Sequence, residues 1–67
     1  MNITLNNSSE ELPGDILTIR EILRIKNFTF PNLVVKINGQ LVRKPQYDSA
    51  TAKDGDEVEI IHLISGG

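Results

Sequence analysis

The sequence predicts an α+β domain, a mixed sheet of four to five strands with one helix packed across one face. Three observations predict it. The pattern Thr18-Ile19-Arg20-Glu21 is a capping box, and it opens a single short stretch of helical periodicity. Alternating or β-branched runs stand on both sides of that helix, at 1–6, 33–37 and 57–63. Two tight-turn signals, Asn38-Gly39 and Asp54-Gly55-Asp56, punctuate the later runs.

The elements follow in chain order. Met1 to Asn6 alternates apolar and polar residues, the period of a half-buried strand. Asn6-Asn7-Ser8-Ser9 is turn chemistry, and Glu10-Glu11-Leu12 returns as a short second strand before Pro13-Gly14. In the helix, predicted over 19–26, Leu17 precedes the cap and Ile22 takes the fourth position, the spacing of a hydrophobic staple. Ile19, Ile22, Leu23 and the stem of Lys26 share one face; Ile25 falls off it, and Asn27 is a left-handed stop. A helix this short needs a sheet beneath it to form at all.

Leu33 to Ile37 is long and β-branched enough for a strand, Asn38-Gly39 reverses it, and Gln40-Leu41-Val42 pairs back. Pro45 ends that strand, and Tyr47 to Lys53 reads as a polar connection in which Tyr47 covers an edge of the core. Glu57 to Leu63 is the last strand. The predicted order is β-β-α-β-β-β, for which a β-grasp-like roll is the natural arrangement. The expected organisation is one domain over 1–63 and a flexible C-terminal tail over 64–67.

Composition excludes several functions. Seven Lys and Arg against nine Asp and Glu give a net charge of −2, and the chain has three aromatic residues. That leaves neither a broad phosphate-neutralising surface nor a stacking platform, so nucleic acid is not an expected partner. No apolar run is long enough to span a bilayer, and residues 1–7 lack the cationic start of a signal peptide, so no membrane partner is expected. Without cysteine the chain fits a reducing compartment, and the cytoplasm is the expected location. Sixty-seven residues leave no room for a cavity that encloses a substrate. The chain is expected not to be an enzyme.

Catalytic sets are correspondingly thin. One histidine and no cysteine cannot assemble the usual zinc cluster, so no metal site is expected. His62 with Ser8, Ser9, Ser49 or Ser65 lacks the orienting group and oxyanion hole of a triad. Gly14, Gly39 and Gly55 stand singly at turns and make no phosphate-cradling loop, so no cofactor is expected to bind this chain itself. Asp54, Asp56, Glu57 and Glu59 form an acidic cluster suited first to turn and strand-surface duty, and second to steering a basic partner. Gly66-Gly67 is different, because two glycines after an apolar strand pack nothing and lose the most entropy on ordering.

These residues carry a family resemblance. Thr18 to Leu23, Val35 to Val42, Asp54 to Ile60 and the Gly66-Gly67 end resemble the ThiS family, the ubiquitin-like β-grasp sulfur carriers of thiamine biosynthesis. The likeness covers nearly the whole length. This chain departs from the pattern at Arg43-Lys44-Pro45-Gln46-Tyr47 and in the small Ala52 before the Asp54 turn. The resemblance implies that a ubiquitin-activating-like adenylyltransferase, using ATP-Mg²⁺, adenylates the Gly67 carboxylate. A persulfide-bearing sulfur donor then yields a thiocarboxylate, and a thiazole synthase takes the sulfur. Gly66, without a side chain, gives the tail its freedom. On the last strand, if Val58 and Ile60 face the helix, Ile61 and Leu63 lie on the open sheet face. With Ile64, Val34 and Leu41 they are the expected docking patch. Two other readings stay open at this point: a β-grasp carrier for molybdopterin synthesis or tRNA thiolation, and an interaction module whose terminal glycines are incidental.

Overall fold

The computed structural model of the chain describes residues 1–29 and 31–63. The expectations for Ile64, Gly66, Gly67 and a flexible tail lie outside the described residues.

Strands β1 (Asn2–Leu5) and β2 (Ser8–Glu11) form the first hairpin. Its turn is tighter than the sequence suggests. Asn6 and Asn7 both take positive φ, 51° and 69°, so two residues complete the reversal and Ser8-Ser9 are already in the strand. A short strand β3 (Ile16–Thr18) leads into helix α1 (Ile19–Ile25). Strands β4 (Leu33–Ile37) and β5 (Gln40–Val42) make the second hairpin, with Asn38 at φ 50° and Gly39 at 82°. A 3₁₀ turn over Lys44–Gln46 follows, then β6 (Thr51–Lys53) and β7 (Glu57–His62).

The main sheet runs β2-β1-β7-β4-β5. Its central pair β1–β7 is parallel, with Leu5 opposite Val58, and its other pairs are antiparallel. The segment expected to be only a connection contains β6, which pairs antiparallel with β3 in a second, two-stranded sheet. One buried residue from each strand, Leu17 opposite Ala52, closes that end of the core. A three-residue strand has too little alternation to announce itself.

The amides of the helix N-terminus are all accounted for. Of its first amides, Ile19 donates to the Ala50 carbonyl, Arg20 to that of Tyr47, and Glu21 to Thr18 Oγ1, while the Glu21 carboxylate accepts from the Thr18 amide. The 47–50 connection is therefore fixed by the helix N-terminus. At the other end Asn27, at φ 58°, completes a Schellman motif: its amide donates to the Arg24 carbonyl and that of Phe28 to the Leu23 carbonyl. The stripe is as expected, with Ile19, Ile22 and Leu23 buried and Ile25 exposed. Lys26, which caps the helix, reaches instead to Glu10 on β2, with Nζ 2.6 Å from Oε1. Glu10 stands opposite buried Ile3 and so points toward the helix; β2 contributes a charge there that Lys26 neutralises.

Helix and sheet enclose Ile3, Leu5, Val35, Val42, Val58 and Ile60, with Tyr47 buried at the rim as its sequence position suggests. Each such aliphatic side chain contributes about 1.5–3 kcal/mol when fully buried. Asn6 adds a different stabiliser. Its side-chain amide donates to the Ile60 carbonyl at 3.0 Å and its Oδ1 accepts from the Ile60 amide at 2.8 Å. The side chain thus substitutes for a peptide group and lengthens the parallel β1–β7 ladder by one step.

Candidate functional site

Strand alternation divides the sheet into two faces. Val58 and Ile60 on β7, Val35 on β4 and Val42 on β5 are buried against the helix. Their neighbours Glu57, Glu59 and Ile61, Val34 and Lys36, and Leu41 therefore point to the opposite, open face. On β1 and β2 the open-face positions are Asn2, Thr4, Ser9 and Glu11, all polar. The open face is thus polar at one edge and apolar toward the other.

The apolar part has a defined register. Ile61 stands directly opposite Val34, and Leu41 lies opposite Lys36, one pleat along β4 from Val34. Ile61, Leu41 and Leu63 are about half exposed, at 48 %, 51 % and 51 %. Four of the five residues expected from sequence to form a docking patch thus lie in this region, Ile61 and Leu63 at the end of β7 from which residues 64–67 continue and Leu41 two strands away on β5. Leu63 is held where it is by its amide, which donates to the Asn32 carbonyl at 2.9 Å. The fifth, Ile64, lies outside the described residues, as do Gly67, expected to carry the reacting carboxylate, and Gly66, expected to give the tail its freedom.

The acidic cluster resolves into turn-building residues. Asp54 Oδ1 accepts from the Asn2 amide, tying the 54–55 turn to the start of β1. Asp56 is buried, and its two oxygens accept from the Lys53 amide at 2.9 Å and from Asn38 Nδ2 at 3.1 Å. Asn38 Oδ1 in turn accepts from the Glu57 amide. Asn38 and Asp56 therefore lock the β4–β5 turn onto the β6–β7 turn. Glu59 stands opposite Lys36 on the open face. Among the described residues no group of three or more His, Asp or Glu side chains is placed to hold a metal ion. Nor do the described candidate serines converge on His62: Ser8 and Ser9 are on edge strand β2, and Ser49 Oγ donates to the Gln46 carbonyl; Ser65 lies outside the described residues.

The Lys53 amide, followed by Asn38, holds the Asp56 carboxyl below the usual carboxylate pKa. Between its folded value and the unfolded value of about 3.9, the unfolded chain binds more protons, so stability rises with pH. The contribution is complete above about pH 4–5 and is lost as pH falls through the folded value. Urea unfolding across the acid range is expected to show this loss in the wild type. In Asp56→Ala it should be replaced by a lower, flatter curve, with about 1–3 kcal/mol missing at neutral pH. Parallel acid limbs in the two proteins would remove Asp56 as the titrating group.

A concave feature lies beside the patch. An open groove runs between α1, residues 27–29 and 31–33, and the segment from β5 to the 3₁₀ turn. Its rim carries Arg20, Arg24, Arg43 and Lys44. Arg20 Nε donates to Asp48 at 3.0 Å, which raises the guanidinium pKa further, and its charge lies 5.7 Å from the Tyr47 ring centre. Sequence inspection misses this groove, because its two basic pairs are some twenty residues apart and only the fold brings them together.

One helix across a mixed sheet with a parallel central pair, its last long strand leading directly into the C-terminal segment, defines a ubiquitin-like β-grasp domain. The model of the ThiS family matches residues 3–67, and the chain belongs to that family. Over its whole length it is similar to the crystal structure of the thiamine biosynthesis protein (ThiS) from Geobacter metallireducens. The identity is 30 %, each chain is covered completely, and the TM-score is 0.88. A solution NMR structure of a thiamine biosynthesis protein from the same organism matches at 30 % identity and a TM-score of 0.75, covering all of this chain and 88 % of that one. No described helix is long and apolar enough to cross a membrane.

Proposed function

We propose that this protein is a cytoplasmic sulfur carrier for thiazole formation in thiamine biosynthesis, with the Gly67 carboxylate as its reacting group. The observation that carries the reading is the extent of the family match, which runs through residue 67 and so includes Gly66-Gly67. The 30 % identity over full length to a thiamine biosynthesis protein favours this pathway over molybdopterin synthesis or tRNA thiolation.

The chemistry follows from the weakness of a carboxylate as an electrophile. A ubiquitin-activating-like partner, holding ATP-Mg²⁺, joins the Gly67 carboxylate to AMP and releases pyrophosphate. The acyl carbon then accepts sulfur. Sulfide displaces AMP and gives the thiocarboxylate directly. A protein persulfide gives an acyl disulfide, which a thiol cleaves to the thiocarboxylate. A thiazole synthase consumes the sulfur, and the carboxylate returns. This chain contributes no acid or base; it contributes reach and docking. Four residues beyond Leu63 extend about 13 Å at roughly 3.3 Å each. The acid can therefore enter a partner's site while the sheet stays outside. Ile61, Leu63, Val34 and Leu41, with Ile64, form the docking surface at the root of that tail.

Intact-mass spectrometry tests the reading. After incubation with ATP-Mg²⁺, the cognate activating enzyme and a sulfur donor, one oxygen is exchanged for sulfur, and fragmentation places the change on Gly67. An unchanged mass, with a control carrier converted in the same mixture, overturns it.

A further inference from the structure

Charge is distributed very unevenly over this acidic protein. Four of its seven Lys and Arg residues line the groove beside α1, and none of its nine Asp and Glu residues does. The rest of the domain therefore carries three Lys and Arg residues against all nine Asp and Glu, of which Asp56 is buried. One groove cation, Arg20, is paired with Asp48; among the described residues Arg24, Arg43 and Lys44 form no ion pair. Three like charges gathered without partners disfavour the free domain and favour whatever brings carboxylates to them.

The walls and floor say what kind of ligand that is. Arg20 and Arg24 belong to α1, and Arg43 and Lys44 to the start of the 3₁₀ turn. Between them the groove is lined by Leu23, Phe28, Leu33, Val42 and Tyr47, all buried or half-buried. A small inorganic anion is held by donors converging on one point, whereas here Arg24, Arg43 and Lys44 are exposed and carried by separate elements, α1 and the segment at the 3₁₀ turn. The apolar floor and the cationic rim match a polypeptide that alternates carboxylate and aliphatic side chains.

We infer that this groove docks an acidic, apolar-containing segment of a partner protein. Its carboxylates pair with Arg24, Arg43 and Lys44, and its aliphatic side chains lie on the floor. Binding here requires neither the tail nor its chemistry. Because Val34, Leu41 and Leu63 border both the groove and the apolar part of the open face, one partner can engage the two surfaces together.

The test titrates the ¹⁵N-labelled full chain with the capped peptide Glu-Leu-Glu-Leu-Glu, and in parallel with Lys-Leu-Lys-Leu-Lys and inorganic phosphate. Saturable amide shifts are expected at Leu23, Arg24, Val42 and Lys44 with the acidic peptide alone, and none at Ser8 or Ser9 on the opposite edge. Affinity should fall at least about threefold between roughly 0.05 and 0.5 M salt. Combined Arg24→Glu, Arg43→Glu and Lys44→Glu should weaken it about tenfold or more. If that variant loses its dispersed spectrum, the salt series and the single Arg24→Gln variant decide instead. A groove that is silent to the acidic peptide, equal response to the basic peptide, or phosphate reproducing the same shifts overturns the inference. None of these outcomes bears on sulfur exchange at Gly67, which is read independently by mass.

Discussion

Deletion of Gly67 is expected to abolish sulfur exchange while leaving docking intact. The truncated chain still ends in a glycine carboxylate, that of Gly66, so the chemical group is unchanged; only its reach is shorter. One residue withdraws the acid by about 3.3 Å. Misplacement of a reacting atom by about 1 Å can already cost roughly 100-fold in rate, because bond formation needs the near-attack geometry that the tail supplies. Adenylation should therefore fall by at least about 100-fold. The patch formed by Ile61, Val34, Leu41 and Leu63 is untouched, so the truncated chain should compete with the full chain for the activating enzyme with similar affinity. Intact-mass spectrometry reads the first quantity and inhibition of wild-type conversion reads the second. If the shortened chain is converted as well as the full one, Gly67 is not the reacting residue. If it neither reacts nor competes, the tail rather than the sheet supplies most of the binding.

What can be read from the sequence divides by the range of the interaction. The Thr18–Glu21 capping box and the left-handed Asn27 are local devices, closed within a few residues, and both stand where their spacing places them. The alternation of β7 likewise sends Val58 and Ile60 inward and leaves Ile61 exposed. Long-range roles are another matter. Asn6 is legible as a turn residue because asparagine tolerates positive φ, yet its side chain also satisfies both backbone groups of Ile60, 54 residues away. Asn38 is legible as half of an Asn-Gly turn, but its lock on Asp56 depends on two turns meeting in space. Strand β6 is hidden because Thr51-Ala52-Lys53 presents one apolar residue, and only Leu17 opposite it gives that residue a reason to be buried. The groove is the extreme case, since each of its basic pairs reads alone as ordinary surface charge. The carboxylate proposed to react is the reverse, conspicuous in sequence because two successive glycines offer no side chain to a core.

Ile61→Asp is expected to impair activation strongly without unfolding the domain. Ile61 is half exposed on the open face, opposite Val34, and makes no contribution to the buried layer formed by Val58 and Ile60. The cost to the fold is then the loss of strand preference, on a scale that spans about 1 kcal/mol. At an interface the same change sets an unpaired carboxylate against apolar surface. Residues at the centre of such a contact are worth about 2 kcal/mol or more. That corresponds to roughly 30-fold in the kcat/KM for adenylation, at about 1.4 kcal/mol per tenfold. Ser9→Asp provides the matched control: it adds the same charge to the same face, on the polar edge strand opposite Thr4, and should leave kcat/KM within about twofold of wild type. Thermal unfolding of the two variants separates folding from docking. Equal impairment by both would mean that any added negative charge repels the enzyme, so that the contact is electrostatic rather than apolar. Unchanged kinetics in Ile61→Asp would place the activating enzyme elsewhere on the molecule, with the basic groove beside α1 as the next surface to reverse in charge.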